Sequence, residues 1–307
     1  MERFEEMENK QGLNKGLIFV IFGASLWGAS GACGQFLFQS KHIESAWLVP
    51  YRLLFAGCVI IIMQLIRQGK ETFKVWKEKR DVVELLIFGL FGMAGCQFSY
   101  FFSIQNSNAG TGTVLQSLST VFIMVTTCIL AKRLPRKTEI VALVFAFSGA
   151  VLLATKGDFG SLKLSPPALI SGIISALLVV VYSMQSQRLI HKFGTLTITG
   201  WGMVVGGIIA FFVFKPYQYQ VSFDFETIAG VLGIFILGTI CAFSLFLEGV
   251  KRVGPKTASL IGTLEPFVAT VISICVLKSP FTIADIIGFC LIISTVFICV
   301  LENNRGK

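Results

Sequence analysis

A carboxylate followed by a proline stands in the middle of an apolar stretch. The stretch is ASLIGTLEPFVATVISICVL, Ala258 to Leu277, with Glu265 and Pro266 near its centre. It is long enough to cross a bilayer as a helix. A charge at that depth costs roughly 3 kcal/mol or more, which makes Glu265 a functional-site candidate. Pro266 removes one helical hydrogen bond and predicts a helix kink, with the carbonyl of Gly262 left free near the carboxylate. Two chemistries are open: Glu265 takes up and releases a proton, or it holds a cationic group such as an ammonium. A structural alternative is a protonated Glu265 hydrogen-bonded between helices.

Other apolar stretches carry polar and aromatic faces at helical spacing. One has Gln97, Tyr100 and Phe101; a second has Gln116 and Ser119; a third has Tyr182, Gln185 and Ser186. Buried amides and phenols in lipid need internal partners, so these faces are expected to point inward. There they either line a cavity for a small solute or bond helix to helix. Trp27 and Gln35 are candidates for the same cavity, and Gly28, Gly31 and Gly34 beside them allow close helix approach. Arg52 lies a few residues inside a span and is expected to snorkel to the interface. The alternatives for it are attraction of an anionic substrate or a gating ion pair.

Enzymatic chemistry has little to work with. No HExxH, paired Asp or Ser/His constellation lies at membrane depth, and no GxxxxGK[ST] motif is present for direct use of ATP. The two histidines, His42 and His191, fall in loops on opposite sides. The eight cysteines lie in apolar runs without a CxxC and read as packing residues. No catalytic residue, metal or cofactor is expected.

The elements that must position these residues follow from composition. The 307 residues are 54% hydrophobic and only 14% charged, with a mean hydropathy of +0.77. A soluble domain carries about 25% charged residues, so the chain is read as an all-α polytopic membrane protein. Ten apolar runs are expected to form helices: 16–37, 46–66, 84–104, 110–131, 139–155, 166–188, 196–214, 227–248, 257–277 and 283–301. The first run exceeds signal-peptide length and reads as a retained helix. Connections are short and leave no room for a soluble domain. With both termini in the cytoplasm, twenty of the 26 Lys and Arg residues fall on the cytoplasmic side and five outside. The net charge of +9 therefore belongs to cytoplasmic loops and implies no nucleic-acid partner.

A repeat runs through the chain. Shifted by 146 residues, TGTVLQSLSTVFIMVTTCILAK (111–132) falls on TASLIGTLEPFVATVISICVLK (257–278). Thr111 meets Thr257, Leu118 meets Leu264 and Lys132 meets Lys278; further on, Glu139 meets Asp285. One ungapped register argues for duplication of a five-helix unit, 1–156 and 164–302. Five is odd, so the copies are expected to lie in opposite orientations, a 5+5 inverted repeat.

Trp27-Gly28 near the middle of the first helix, Arg52 near the start of the second, and LEGVKRVGPKTASLIGTLEPFVA (247–269) resemble the EamA family of the drug/metabolite transporter superfamily. The resemblance covers nearly the whole chain. It implies a ten-helix carrier in the cell membrane that moves amino acids or similar small metabolites, outward more than inward. Related branches carry nucleotide sugars or phosphorylated metabolites, and drugs are a further alternative. It strengthens Trp27 as a cavity wall. The cavity is expected between the repeats, lined by the first, third, fourth, sixth, eighth and ninth helices, with transport driven by a proton or solute gradient. Expected partners are the small-molecule substrate and membrane lipid, in a monomer or homodimer. Two departures stand out. The family's GE pairs are replaced by Ala131-Lys132 and Leu277-Lys278, and Ser119-Thr120 stands where a proline is common.

Overall fold

The computed structural model describes residues 2–158 and 163–302. Arg305 and Lys307 lie outside the described residues, as do the side chains of Arg3, Lys10, Lys256, Thr257 and Cys299. Every regular element among the described residues is helical. Among the described residues, eight helices are long and apolar enough to cross a membrane: α1 (Asn14–Ser40), α2 (Ser45–Trp76), α3 (Lys79–Gln105), α4 (Ala109–Leu130), α5 (Lys137–Thr155), α6 (Pro166–Gln185), α7 (Thr195–Phe214) and α8 (Phe225–Gly254). Two shorter apolar helices follow, α9 (Leu264–Cys275) and α10 (Ile283–Thr295). Lipid solvates apolar side chains, and large ones such as Phe22, Ile62, Phe147 and Phe212 stand exposed on the outside of the bundle. The chain is a multi-pass membrane protein.

Helix α9 is short because the run predicted as one helix divides. The helical stretch after α8 ends at Gly262, Thr263 forms a turn, and α9 starts at Leu264. Gly262 is the residue whose carbonyl Pro266, four positions on, cannot bond. A second break divides α4 at Leu118, where no proline is near. Hydroxyls act there: Ser117 Oγ donates to the Thr113 carbonyl at 2.9 Å, and Thr113 Oγ1 donates to the Ala109 carbonyl at 2.8 Å. Such back-bonding bends helices.

Local features recur at the same 146-residue offset. Widened π-helical turns occupy Phe88–Gly95 and Gly233–Cys241. Lys132 and Lys278 both take left-handed backbone, at φ 48° and 55°. The Arg136 amide donates to Glu139 at 2.7 Å, and the Thr282 amide donates to Asp285 at 2.8 Å.

Packing crosses between the two parts of the chain. Helix α1 lies along α8 and α9, α6 lies along α3 and α4, α2 pairs with α7, and α5 pairs with α10. The α5–α10 contact brings backbones together: a Cβ on Gly149 would strike the Gly288 carbonyl, and one on Gly288 the Gly149 carbonyl. Small residues make that approach possible. Elsewhere the helix ends are tied by charge. Buried Asp81 of α3 accepts from Arg188, and from Lys192 Nζ at 2.8 Å, just beyond α6.

Candidate functional site

A cavity of about 280 Å³ lies within the bundle. Helix α1 contributes Trp27, Ser30 and Gly31; α3 contributes Gln97, Tyr100 and Phe101; α4 contributes Gln116; α6 contributes Tyr182. Phe243 of α8 and Glu265 of α9 complete it, together with Arg52 from α2, a helix the sequence reading left out of the lining.

Its walls are largely aromatic. Trp27 packs against Phe243 at 5.0 Å and Phe246 at 4.7 Å between ring centroids, and Tyr182 stacks on Phe88 at 5.5 Å. Contact between α1 and α9 is close enough that a Cβ on Gly28 would run into the Glu265 carbonyl. Gly28 therefore fixes the depth at which the carboxylate enters the cavity.

Glu265 is half-buried, and its carboxylate accepts no hydrogen bond and joins no ion pair among the described residues. The alternative of a Glu265 bonded between helices thus has no partner to draw on. Arg52 does not snorkel. It is 5% exposed and points inward. Its Nε donates to Thr239 Oγ1 at 3.0 Å, its Nη1 to Gln97 Oε1 at 3.2 Å, and its guanidinium carbon lies 4.8 Å from the centre of the Phe101 ring. Thr239 is presented by the π-helical turn of α8, where its hydroxyl also bonds the Ile234 carbonyl five residues back, at 2.9 Å. Inward capture of Arg52 needs that turn, and no sequence pattern announced it. Ser30, one helical turn after Trp27, was legible by spacing but was passed over.

Three of the expected cavity residues lie elsewhere. Gln35 is fully buried in a different cluster. Its amide nitrogen donates to Ser279 Oγ at 2.7 Å and Gln39 Oε1 at 3.0 Å; its oxygen accepts from the Ala109 amide at 2.8 Å and Ser273 Oγ at 2.7 Å. Beyond this cluster a second cavity of about 420 Å³ is lined by Gln39, Ser107, Lys156, Lys278, Ser279 and Asp285. Gln185 is the second exception: it donates to the Glu84 carbonyl at 2.9 Å, tying α6 to α3. Ser119, just past the α4 break, is half-buried and outside the lining. Gln116 does reach the cavity, with its amide fixed by Ser175 Oγ at 2.7 Å. Pro266 is buried against the bundle at the start of α9. Among the described residues no group of three or more His, Cys, Asp or Glu could hold a metal ion.

The site is thus a buried polar and aromatic cavity inside an all-helical bundle of membrane-spanning length. The chain belongs to the EamA-like transporter family, which it matches over residues 14–155 and again over 166–301. It is 33% identical over 291 residues to a Salmonella typhimurium (strain LT2) protein named as the uncharacterized inner membrane transporter YicL, covering 95% of this chain and 97% of that one. Protein PecM of Dickeya dadantii (strain 3937) is 25% identical, with 91% and 90% covered. An uncharacterized transporter of Bacillus subtilis (strain 168), YyaM, is 23% identical, with 90% and 88% covered. A solved crystal structure superposes with a TM-score of 0.62 at 18% identity, covering 97% of this chain and 99% of that one, which places the two in one fold.

Proposed function

We propose that the chain is a secondary transporter that moves amino acids or similar small metabolites across the cell membrane, in the outward direction, by alternating access to the central cavity. The single observation that carries the reading is Glu265: an unpartnered carboxylate beside aromatic walls in a cavity between the two matched parts of a transporter-family chain. An acid so placed receives a substrate ammonium or a proton, and the other titratable groups of the lining are Arg52, Cys96, Tyr100 and Tyr182.

Alternating access requires one end of the bundle to be shut while the other admits solute. Half-helices Ala109–Ser117 and Leu264–Cys275 pack together, with Gly110 set against Thr270, and the Gln35 cluster ties both to α1. In this reading that end is the closed gate. The two breaks are the hinges about which Ser119–Leu130 of α4 and the helical stretch ending at Gly262 move. The 146-residue recurrences support two five-helix units, 1–156 and 164–302, as inverted copies. The distribution of Lys and Arg supports both termini in the cytoplasm.

Proteoliposomes with the purified chain test the reading. Labelled amino acid should exchange across the membrane, and Glu265→Gln should abolish the exchange or remove its pH dependence. Exchange with an unaltered pH profile in Glu265→Gln takes that residue out of the coupling role. No exchange of any amino acid by the wild type sinks the substrate class.

A further inference from the structure

We propose that Arg52 is the specificity residue of the central cavity: it binds the anionic end of the substrate and restricts transport to solutes that carry a single carboxylate. The inference rests on the reading of this cavity as the transport site.

Arg52 is the one basic residue among the described lining, and it is held rather than free. Thr239 and Gln97 take Nε and Nη1, and Phe101 underlies the guanidinium plane. Those contacts leave Nη2 without a partner. Two more polar groups of the same lining are orphaned: the hydroxyls of Tyr100 and Ser30, 6% and 4% exposed by residue, are buried with no hydrogen-bond partner. Unsatisfied buried polar atoms are rare and need an explanation. A carboxylate is the complementary group for the open side of Arg52, because it only accepts and offers about four lone-pair sites. Planar guanidinium suits a carboxylate better than a lysine would, and the cation–π contact with Phe101 helps to hold it in advance.

Glu265 decides the rest of the ligand. It shares the cavity with Arg52, and no ion pair joins them among the described residues. Opposite charges in a low-dielectric site that do not pair with each other are best satisfied by one ligand with a pole for each. A solute with one carboxylate and one ammonium meets both. A phosphate monoester does not: it brings about two negative charges to one guanidinium, with Glu265 in the same cavity and no second cation in the lining. The geometry thus disfavours nucleotide sugars and sugar phosphates.

A purely structural role is the rival, since Arg52 also ties α2 to α3 and α8. Isothermal titration of the purified full chain in nanodiscs separates the two, with L-phenylalanine, its methyl ester and phenethylamine as probes. The last two keep the ammonium and lose the anionic carboxylate. Wild type should bind L-phenylalanine at least about tenfold more tightly than either analogue. Arg52→Gln should erase that preference and leave affinity for both analogues within about twofold, while Arg52→Lys keeps part of it. Equal loss for all three probes assigns Arg52 to structure and overturns the proposal. A wild type that prefers the ester or the amine overturns it without any variant, which covers the case that Arg52→Gln does not fold. Failure of the underlying reading looks different: wild type then binds none of the three probes and exchanges no amino acid.

Discussion

The breaks in α4 and α9 occupy matching places in the two parts of the chain and are made from different residues. In α9 a proline ends the preceding helix at Gly262, and a carboxylate comes with it. In α4 the turn at Leu118 follows hydroxyl back-bonds at Thr113 and Ser117, without proline or charge. Bent geometry therefore does not depend on Glu265-Pro266. What that pair adds is chemistry: Glu265 faces the cavity and its counterpart Ser119 does not. The neighbours differ in the same sense. Helix α1 meets the α9 break backbone to backbone through Gly28, whereas α6 meets side chains of α4, with Ser175 Oγ on Gln116 and the Leu115 side chain seated over Gly172. One copy is built for close approach at the charged site, the other for support.

The largest expected effect moves the carboxylate from one copy to the other. Glu265→Ser should cut amino-acid exchange in proteoliposomes at least about tenfold, and adding Ser119→Glu should not restore it. Recovery to wild-type rates in the double variant would make the two breaks interchangeable and end the contrast. Next comes Gly28→Ala, whose methyl meets the Glu265 carbonyl. It should destabilise the folded state by about 1–3 kcal/mol, read as a lower melting temperature in detergent, and an unchanged melting temperature would show that α1 and α9 have slack. Gln35→Ala removes four hydrogen bonds at the closed end, each worth about 1 kcal/mol. A cysteine introduced as Ser273→Cys should then react several-fold faster with a membrane-impermeant maleimide than it does beside intact Gln35. Pro266→Ala is expected to change stability by less than about 1 kcal/mol, with the break retained, as α4 shows that a break forms without proline. Full straightening of α9 in its structure would contradict this.

The smallest effect lies in the loops. Lys41 bridges to Asp224 at 2.8 Å and Glu226 at 2.5 Å. Hydrogen bonding from Lys41 pulls the Asp224 carboxyl down to about 2, and hydrogen bonding to Asp224 raises Lys41 above its ordinary value. A depressed carboxyl stabilises above its unfolded pKa of about 3.9 and loses that as pH falls toward 2. A raised lysine stabilises below its unfolded pKa of about 10.4 and loses that as pH rises through its folded value. Between about pH 5 and pH 9 the pair is therefore constant. Lys41→Ala should lower the melting temperature slightly and equally at both ends of that window. A difference between them would implicate another titrating group.

Helical class and membrane setting were legible because hydropathy reports them without tertiary information, and the family was legible as a resemblance carried by Trp27-Gly28, Arg52 and the string 247–269. The same holds for seven cavity residues, Trp27, Gln97, Tyr100, Phe101, Gln116, Tyr182 and Glu265, since a polar or aromatic group in lipid has few places to face. Arg52 was not legible as a cavity residue. Its depth fits snorkelling, and what turns it inward is a hydroxyl on a π-helical turn that no spacing rule predicts. Gln35 and Gln185 failed for a related reason. An amide on an inward face satisfies itself on whatever lies opposite, and for these two that was serines, amides or a backbone carbonyl of other helices.

The crossing of partners between the two parts of the chain has a consequence for biosynthesis. Gly28 leaves the ribosome more than two hundred residues before Glu265, the residue whose backbone it touches. At about 5–20 residues per second that is a wait of roughly 10–50 s. During it Gly28 stands in the bilayer without its α9 partner, while Gly31 and Gly34 of the same helix already have Tyr100 and Phe101 of α3 to pack on. The α1–α9 contact must therefore be among the last to close, although α1 can dock on α3 and α4 earlier. Premature release of the chain before α9 would leave Gly28 without the backbone it packs against, and that stretch of α1 exposed to quality-control proteolysis.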